Sequence, residues 1–469
     1  MARPAPAPRL GQGFGLLVDQ SQPVAFTFEG RSYHGFAGDV IASALAGCGQ
    51  WLLSRSFKYH RPRGMLSMAG QDANTLVQLP DEPNVLADRH RIEPGLEVTG
   101  QNYRGSLAHD RGASLRLFSR FLPVGFYYRT FHRPKGAWKH WEPIIRSFAG
   151  LGKVNQDARH GYYDKAYGFY DLVVVGGGPA GMSAALEAAG HGLEVLLVEE
   201  FGILGGSLAY ARFGADATRA QQEHGRLVAE IEASPNITVY TDAVCNGLFA
   251  DNFLPIIRGN RMYKVRAKHV VVAAGAFEQP MVFRNNDLPG IMFGSGAQRL
   301  MRLYGVAPGR RAVVVSANVH GHEVALDLLD AGVEVAAIVE LRHETPRTPA
   351  ADAAQDRGIT VHKSTTIAEA LGNGHVTGVR VAAITGQGTY EQNGRVIECD
   401  CVLTSVGYSP AGNLIWYAGG RFTYDEDTAM HRVLELPGGV VPAGSVNGVW
   451  DLDSVLADGR RAGWHAARV

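Results

Sequence analysis

Apolar and polar positions along the chain fall into three textures. Residues 1–100 read as short strands and turns: Val24-Ala25-Phe26-Thr27-Phe28 meets the turn Glu29-Gly30-Arg31, and an apolar helical stretch runs from Val40 to Leu53. Residues 101–165 are aromatic and basic, without clear periodicity. From Asp171 onward, apolar runs of strand length alternate with helical stretches rich in Ala, Leu and Gly. That alternation predicts a largely parallel sheet with helices on its faces.

The first of these runs, Asp171-Leu172-Val173-Val174-Val175, leads directly into Gly176-Gly177-Gly178-Pro179-Ala180-Gly181 and a helix over Met182 to Ala189. Three glycines at this spacing allow a tight turn, close approach of a pyrophosphate and close packing of helix on strand. The diphosphate would lie on the helix N-terminus, where free N–H groups and the dipole favour an anion. The next strand, Val195 to Val198, ends in Glu199 and Glu200, where an acid can accept hydrogen bonds from ribose hydroxyls. Glu199 in place of a basic residue disfavours a 2′-phosphate here. Four further segments are similar to parts of two-dinucleotide flavoproteins. Gly205-Gly206-Ser207 lies where such chains pass the cofactor, and Thr241-Asp242-Ala243-Val244 resembles the strand that contacts adenine. Val270 to Val272 with Ala273-Ala274-Gly275 resembles the segment returning to the first domain. Val441-Pro442-Ala443-Gly444 resembles the strand at the flavin ribityl-phosphate, with Ser445 where an acid is usual, so FAD, NAD and another adenine nucleotide all stand as ligands.

Val313-Val314-Val315, then Ser316 to Gly321, then a strand from Val335 to Val339 ending at Glu340, repeats the plan with two glycines replaced, by Ser316 and Asn318. Side chains there would crowd a pyrophosphate, which favours a retained but empty nucleotide fold over a working NAD(P)H site. A plant-type [2Fe–2S] loop needs thiolates at C-x₄-C-x₂-C. Residues 61–77 place Ser67, Asp72 and Thr75 at that spacing, so no iron–sulfur cluster is expected in this chain, and no other metal site. Cys399 and Cys401 share a face of a predicted strand and read as buried core thiols rather than a redox or metal pair.

Lys plus Arg balance Asp plus Glu at 45 each, so a whole-chain electrostatic footprint for nucleic acid is absent. The 111–146 stretch has eight Lys/Arg against one acid, and reads as a packed interdomain or subunit surface rather than a nucleic-acid groove. Four cysteines are too few for a disulfide framework in 469 residues. No apolar run approaches the ~18 residues of a membrane span, and the N-terminus lacks a signal-peptide pattern, so the cytoplasm is the expected address.

Phe57-Lys58-Tyr59-His60-Arg61-Pro62-Arg63-Gly64, Phe126-Tyr127-Tyr128-Arg129-Thr130-Phe131, the glycine turn, Gly275-Ala276-Phe277-Glu278-Gln279-Pro280, Asn286-Asp287-Leu288-Pro289-Gly290 and Leu456-Ala457-Asp458-Gly459-Arg460-Arg461-Ala462-Gly463 together carry a family resemblance. The chain resembles the α subunit of heterotetrameric sarcosine oxidase and its relatives in hydrogen cyanide synthase, opine oxidases and dye-linked proline dehydrogenases. The resemblance implies an α/β two-dinucleotide-binding-domain flavoprotein fold behind a degenerate [2Fe–2S] ferredoxin-like α+β domain. It implies a ferredoxin-like domain over 1–100, an aromatic and basic interface segment over 101–165, an FAD/NAD domain over 166–300 and 400–469, and a degenerate nucleotide domain over 301–399. It implies an adenine dinucleotide in this chain and an FMN at an interface with an FAD-containing, glycine/D-amino-acid-oxidase-like β subunit that oxidises a secondary amine or amino acid. Further small subunits are compatible with it. Arg61 and Arg63 are candidates for the flavin phosphate. The chain stops where sarcosine oxidase α continues into a folate-binding domain, so one-carbon transfer is not expected. No general base or nucleophile is assigned. Two other readings are a free-standing NAD(P)H–flavin oxidoreductase and a structural subunit with an inert nucleotide.

Overall fold

A computed structural model describes residues 9–468 except 122, 124, 126–130, 132, 150–151 and 346. Most of the Phe126 to Phe131 motif therefore lies outside the described residues. The chain divides into two compact units, one of residues 1–158, 281–347 and 351–405, the other of 159–280, 348–350 and 406–469.

The second unit is built on a seven-stranded sheet. Its order is Ile237–Tyr240, Val195–Val198, Asp164–Val175, Arg261–Val272, Phe253–Arg258 and Ala243–Cys245, with Val440–Pro442 also pairing with Arg261–Val272. The pairings around Asp164–Val175, Val195–Val198 and Val440–Pro442 are parallel. Leu172, Val174, Val195 and Leu197 enter one apolar core, while Val173, Val175, Leu196 and Val198 enter another. Over 172–175 and 195–198 both faces are covered, which is why these segments are continuous apolar runs without polar alternation. Helix Pro179–Gly190 starts with Gly178 as N-cap and proline in its first turn. It packs against Leu452–Ala466 through small residues: a Cβ on Gly459 or Gly463 would run into the backbone oxygen of Ala180 or Ala184.

The first unit holds a front sheet in the order Arg31–Ala37, Asp19–Phe28, Glu97–Val98. Helix Ile41–Gly47 is shorter than the predicted stretch from Val40 to Leu53. Gly49 turns left-handed, its N–H reaches Ala46 O and Gln50 N–H reaches Leu45 O, a Schellman stop that the apolar pattern alone conceals. The same unit contains an all-parallel sheet in the order Ile291–Phe293, Cys401–Ser405, Arg311–Ser316, Glu334–Glu340, Val361–His362. Pairing of Ile291–Phe293 and Cys401–Ser405 with one another places them in this sheet. The two compact units divide at 280/281 and 405/406. Between 101 and 165, where periodicity is absent, a 3₁₀ run Arg111–Phe121 and a helix Trp138–Ala149 form.

Candidate functional site: the glycine turn and its surroundings

Gly176 has φ +111°, and a Cβ there would strike Ala273 O. A Cβ on Gly181 would strike Gly176 O, so this glycine allows the helix to lie on the strand. Gly178 differs. Its backbone is extended, and a Cβ would find nothing nearer than Gly206 Cα at 3.8 Å. The protein's own packing thus leaves room for a side chain at Gly178, and that space beside the helix N-terminus fits a dinucleotide pyrophosphate. Pro179 and Ala180 form the first turn of the helix.

Glu199 is buried at the end of its strand. Its Oε2 accepts the Gly177 N–H at 2.7 Å and Oε1 the Phe201 N–H at 2.8 Å. The carboxylate therefore braces the turn. Its backbone oxygen accepts the Ala243 N–H at 3.0 Å, which brings Val244 alongside. Glu200 follows in a bend. Gly206 (φ +52°) packs on Gly178, where a Cβ would come to 2.7 Å of Gly178 Cα, and Ser207 lies in the short 3₁₀ turn Gly206–Ala209. The Ala273 N–H bonds Val175 O at 2.8 Å, leading to Ala274 and Gly275 beyond the strand end. Gly444 has φ +73°, and its N–H donates to Asp458 Oδ2 at 2.9 Å. Asp458 also accepts from Asn447 and Arg461. Directly after Gly444 the chain carries Ser445 in place of an acid. The acid comes instead from helix Leu452–Ala466, fourteen residues on, inside the Leu456 to Gly463 motif.

Arg61 and Arg63 meet a partner 226 and 224 residues away. Arg61 Nε donates to Asp287 Oδ2 at 2.6 Å and Nη2 to Oδ1 at 2.5 Å, while Arg63 Nη1 pairs with Asp287 Oδ2. Asp287 is drawn below the usual carboxylate range by these two guanidiniums, against the opposing effect of burial, the largest single influence. Two cations on one carboxylate leave one net positive charge. A Cβ on Gly64 would sit 3.1 Å from Pro289 Cα, so the two motifs pack closely. Asp287→Ala is expected to cost about 1–3 kcal/mol in a denaturant titration, below the ~3–5 of a fully buried pair because all three side chains are roughly a fifth exposed.

In the second nucleotide-type sheet, Ser316 Oγ donates to Asn318 O at 2.8 Å, and Asn318 Oδ1 accepts from Gly321 N–H and Ser405 Oγ. The residues replacing glycine fill their own turn. His322 is buried, and burial lowers its pKa against the pull of Glu340 4.0 Å away and of the Asn318 backbone. The unfolded chain binds a proton that folded His322 rejects, so stability is present above about pH 6.5 and lost as pH falls below it. Thermal denaturation at pH 7 and pH 5 should show the loss, and His322→Leu should reduce it.

The model of the pyridine nucleotide-disulphide oxidoreductase family matches residues 170–429. A second model, a 2Fe-2S iron-sulfur cluster binding domain, matches residues 21–103. This overturns the expectation of a chain without an iron–sulfur cluster: that expectation rested on three side chains, whereas the whole domain is of the cluster-binding class. Ser67, Asp72 and Thr75 are buried, and Asp72 accepts the Leu66 and Asn74 N–H groups at 2.6 and 2.9 Å. These three are not the thiolates an iron pair takes up. Over 94% of its length the chain is 35% identical to the alpha subunit of sarcosine oxidase from Rhizobium meliloti (strain 1021), covering 46% of that protein. It is 28% identical to the corresponding sarcosine oxidase chain of Corynebacterium sp. (strain P-1), over 96% of this chain and 44% of the other. The chain thus spans about half the length of the curated relatives it matches. The crystal structure of L-proline dehydrogenase from P. horikoshii shares the fold, with a TM-score of 0.67 at 20% identity, covering 97% of this chain and 75% of that one. No helix among the described residues is long and apolar enough to cross a membrane.

Proposed function

Since the chain belongs to the pyridine nucleotide-disulphide oxidoreductase family, we propose that it is the dinucleotide-carrying subunit of a hetero-oligomeric flavin oxidoreductase acting on a secondary amine or amino acid. The observation that carries this reading is the similarity to the sarcosine oxidase alpha chain along 94% of the sequence. An adenine dinucleotide lies at Gly176, Gly178, Gly181 and Glu199, lined by Pro179, Ala180, Glu200, Gly206, Ser207, Val244, Ala274, Gly275 and Gly444. The helix N-terminus takes the diphosphate charge, and Glu199 holds the turn while facing the ribose. A flavin or nicotinamide supplies hydride transfer when bound. An FMN sits at the interface with a partner of the glycine/D-amino-acid-oxidase type, whose FAD receives the substrate electrons.

Thiol chemistry of the disulphide-reductase kind is disfavoured. Cys399 and Cys401 are buried, and burial, aided by Asp400, pushes the Cys399 thiol up to about 12 and Cys401 well above its ordinary value. Such thiols are poor nucleophiles at neutral pH.

Expression alone and with the oxidase-like protein encoded beside it tests the proposal. The complex should release an adenine dinucleotide, FMN and FAD, and its flavin should bleach with a secondary amine. Amine oxidation by the lone chain at the rate of the complex, or a complex without FMN, overturns it.

A further inference from the structure

On strand Asp164–Val175 the side chains alternate: Lys165, Tyr167 and Phe169 are exposed, whereas Ala166, Gly168 and Tyr170 are partly buried. Tyr167 and Phe169 are 69% and 75% exposed, far more than aromatic residues on a sheet normally show. The register extends the row across the sheet. Phe169 lies opposite Arg266, which lies opposite Phe253, and Tyr167 lies opposite Lys264. Cross-strand partners point to one face. Ring contacts agree, with Lys264 Nζ 5.6 Å from the Tyr167 ring and Arg266 5.6 Å from the Phe253 ring. Ile257, 41% exposed, continues the same face on the next strand.

We infer that this aromatic and cationic sheet face docks a partner protein of the complex through an acidic surface bearing an apolar centre. The inference rests on the hetero-oligomeric reading above. Charge complementarity commits it to an acidic partner: Lys165, Lys264 and Arg266 stand among the aromatic rings, and the acid paired with them is Asp251, at 3.4 Å from Arg266. Aromatic and arginine side chains are what interface centres use, with charged groups such as lysine at the rim. The cations hold the aromatic faces in place and steer an acidic partner, so the association rate should fall with salt.

The test uses the full chain and its co-expressed oxidase-type partner, with affinity and association rate measured at two salt concentrations. Tyr167→Ser with Phe169→Ser, and separately Lys165→Glu with Lys264→Glu, should each weaken assembly at least 100-fold. The wild-type association rate should drop about tenfold between 50 and 300 mM salt. Unchanged nucleotide content and melting temperature in the variants would show that folding is intact, since Lys165, Tyr167 and Phe169 are exposed and Lys264 only partly buried. Assembly of undiminished affinity in both double variants overturns the docking face while leaving the hetero-oligomer standing. Variants that instead abolish self-association assign the face to a second copy of this chain and overturn the acidic partner. A wild-type chain that binds no oxidase-type partner overturns both readings.

Discussion

Gly178→Val is expected to leave the chain folded and to strip it of its adenine dinucleotide. The backbone at Gly178 suits any residue, and the nearest atom to a new Cβ is 3.8 Å away. The added volume therefore falls in the space assigned to pyrophosphate, and occupancy after purification should fall at least tenfold. Gly181→Val should behave differently. Its Cβ collides with Gly176 O, so the helix must lift from the strand, with overpacking costing about 3 kcal/mol. Nucleotide released by denaturation, read beside the melting temperature, separates the two outcomes. Full occupancy in Gly178→Val would remove the turn from the binding site.

Gly463→Leu is expected to destabilise the second unit by about 3 kcal/mol or more. A Cβ at this position already enters the backbone of Ala184 and comes to 3.0 Å of Glu187 Cβ, and leucine adds three more carbons beyond it. Separating helices Pro179–Gly190 and Leu452–Ala466 would also pull Asp458 from the Gly444 N–H, exposing one edge of the candidate nucleotide site. Urea denaturation should show a lower midpoint with little change in slope. Gly438→Ala, in open space outside any helix or strand, serves as the neutral control.

Much of the glycine turn was legible because its constraints are local. A strand that is apolar at every position, a glycine where φ is positive and a proline in the first helical turn each act within a few residues. Glu199 was legible for the same reason, at the end of the second strand. Its brace on Gly177 N–H was not, since the pattern gives a strand end but no side-chain direction. The end of helix Ile41–Gly47 was missed because apolarity continues past a left-handed Gly49 that stops the backbone.

By itself, then, the sequence determined the alternation of strands and helices, the glycine turn and the spoiled second turn, all products of short-range sterics and periodicity. Only the tertiary structure decided that Arg61 and Arg63 close on Asp287, that Asp458 supplies the acid beside Gly444, and that Cys401–Ser405 joins the second sheet. It also decided that Tyr167 and Phe169 face outward: their alternation is written in the chain, but which side of a sheet is covered depends on what packs there. The physical reason is the same in each case. A side chain's polarity and size state what it needs, while its partner, 226 residues away for Arg61, is chosen by where the folded strands and helices bring the backbone.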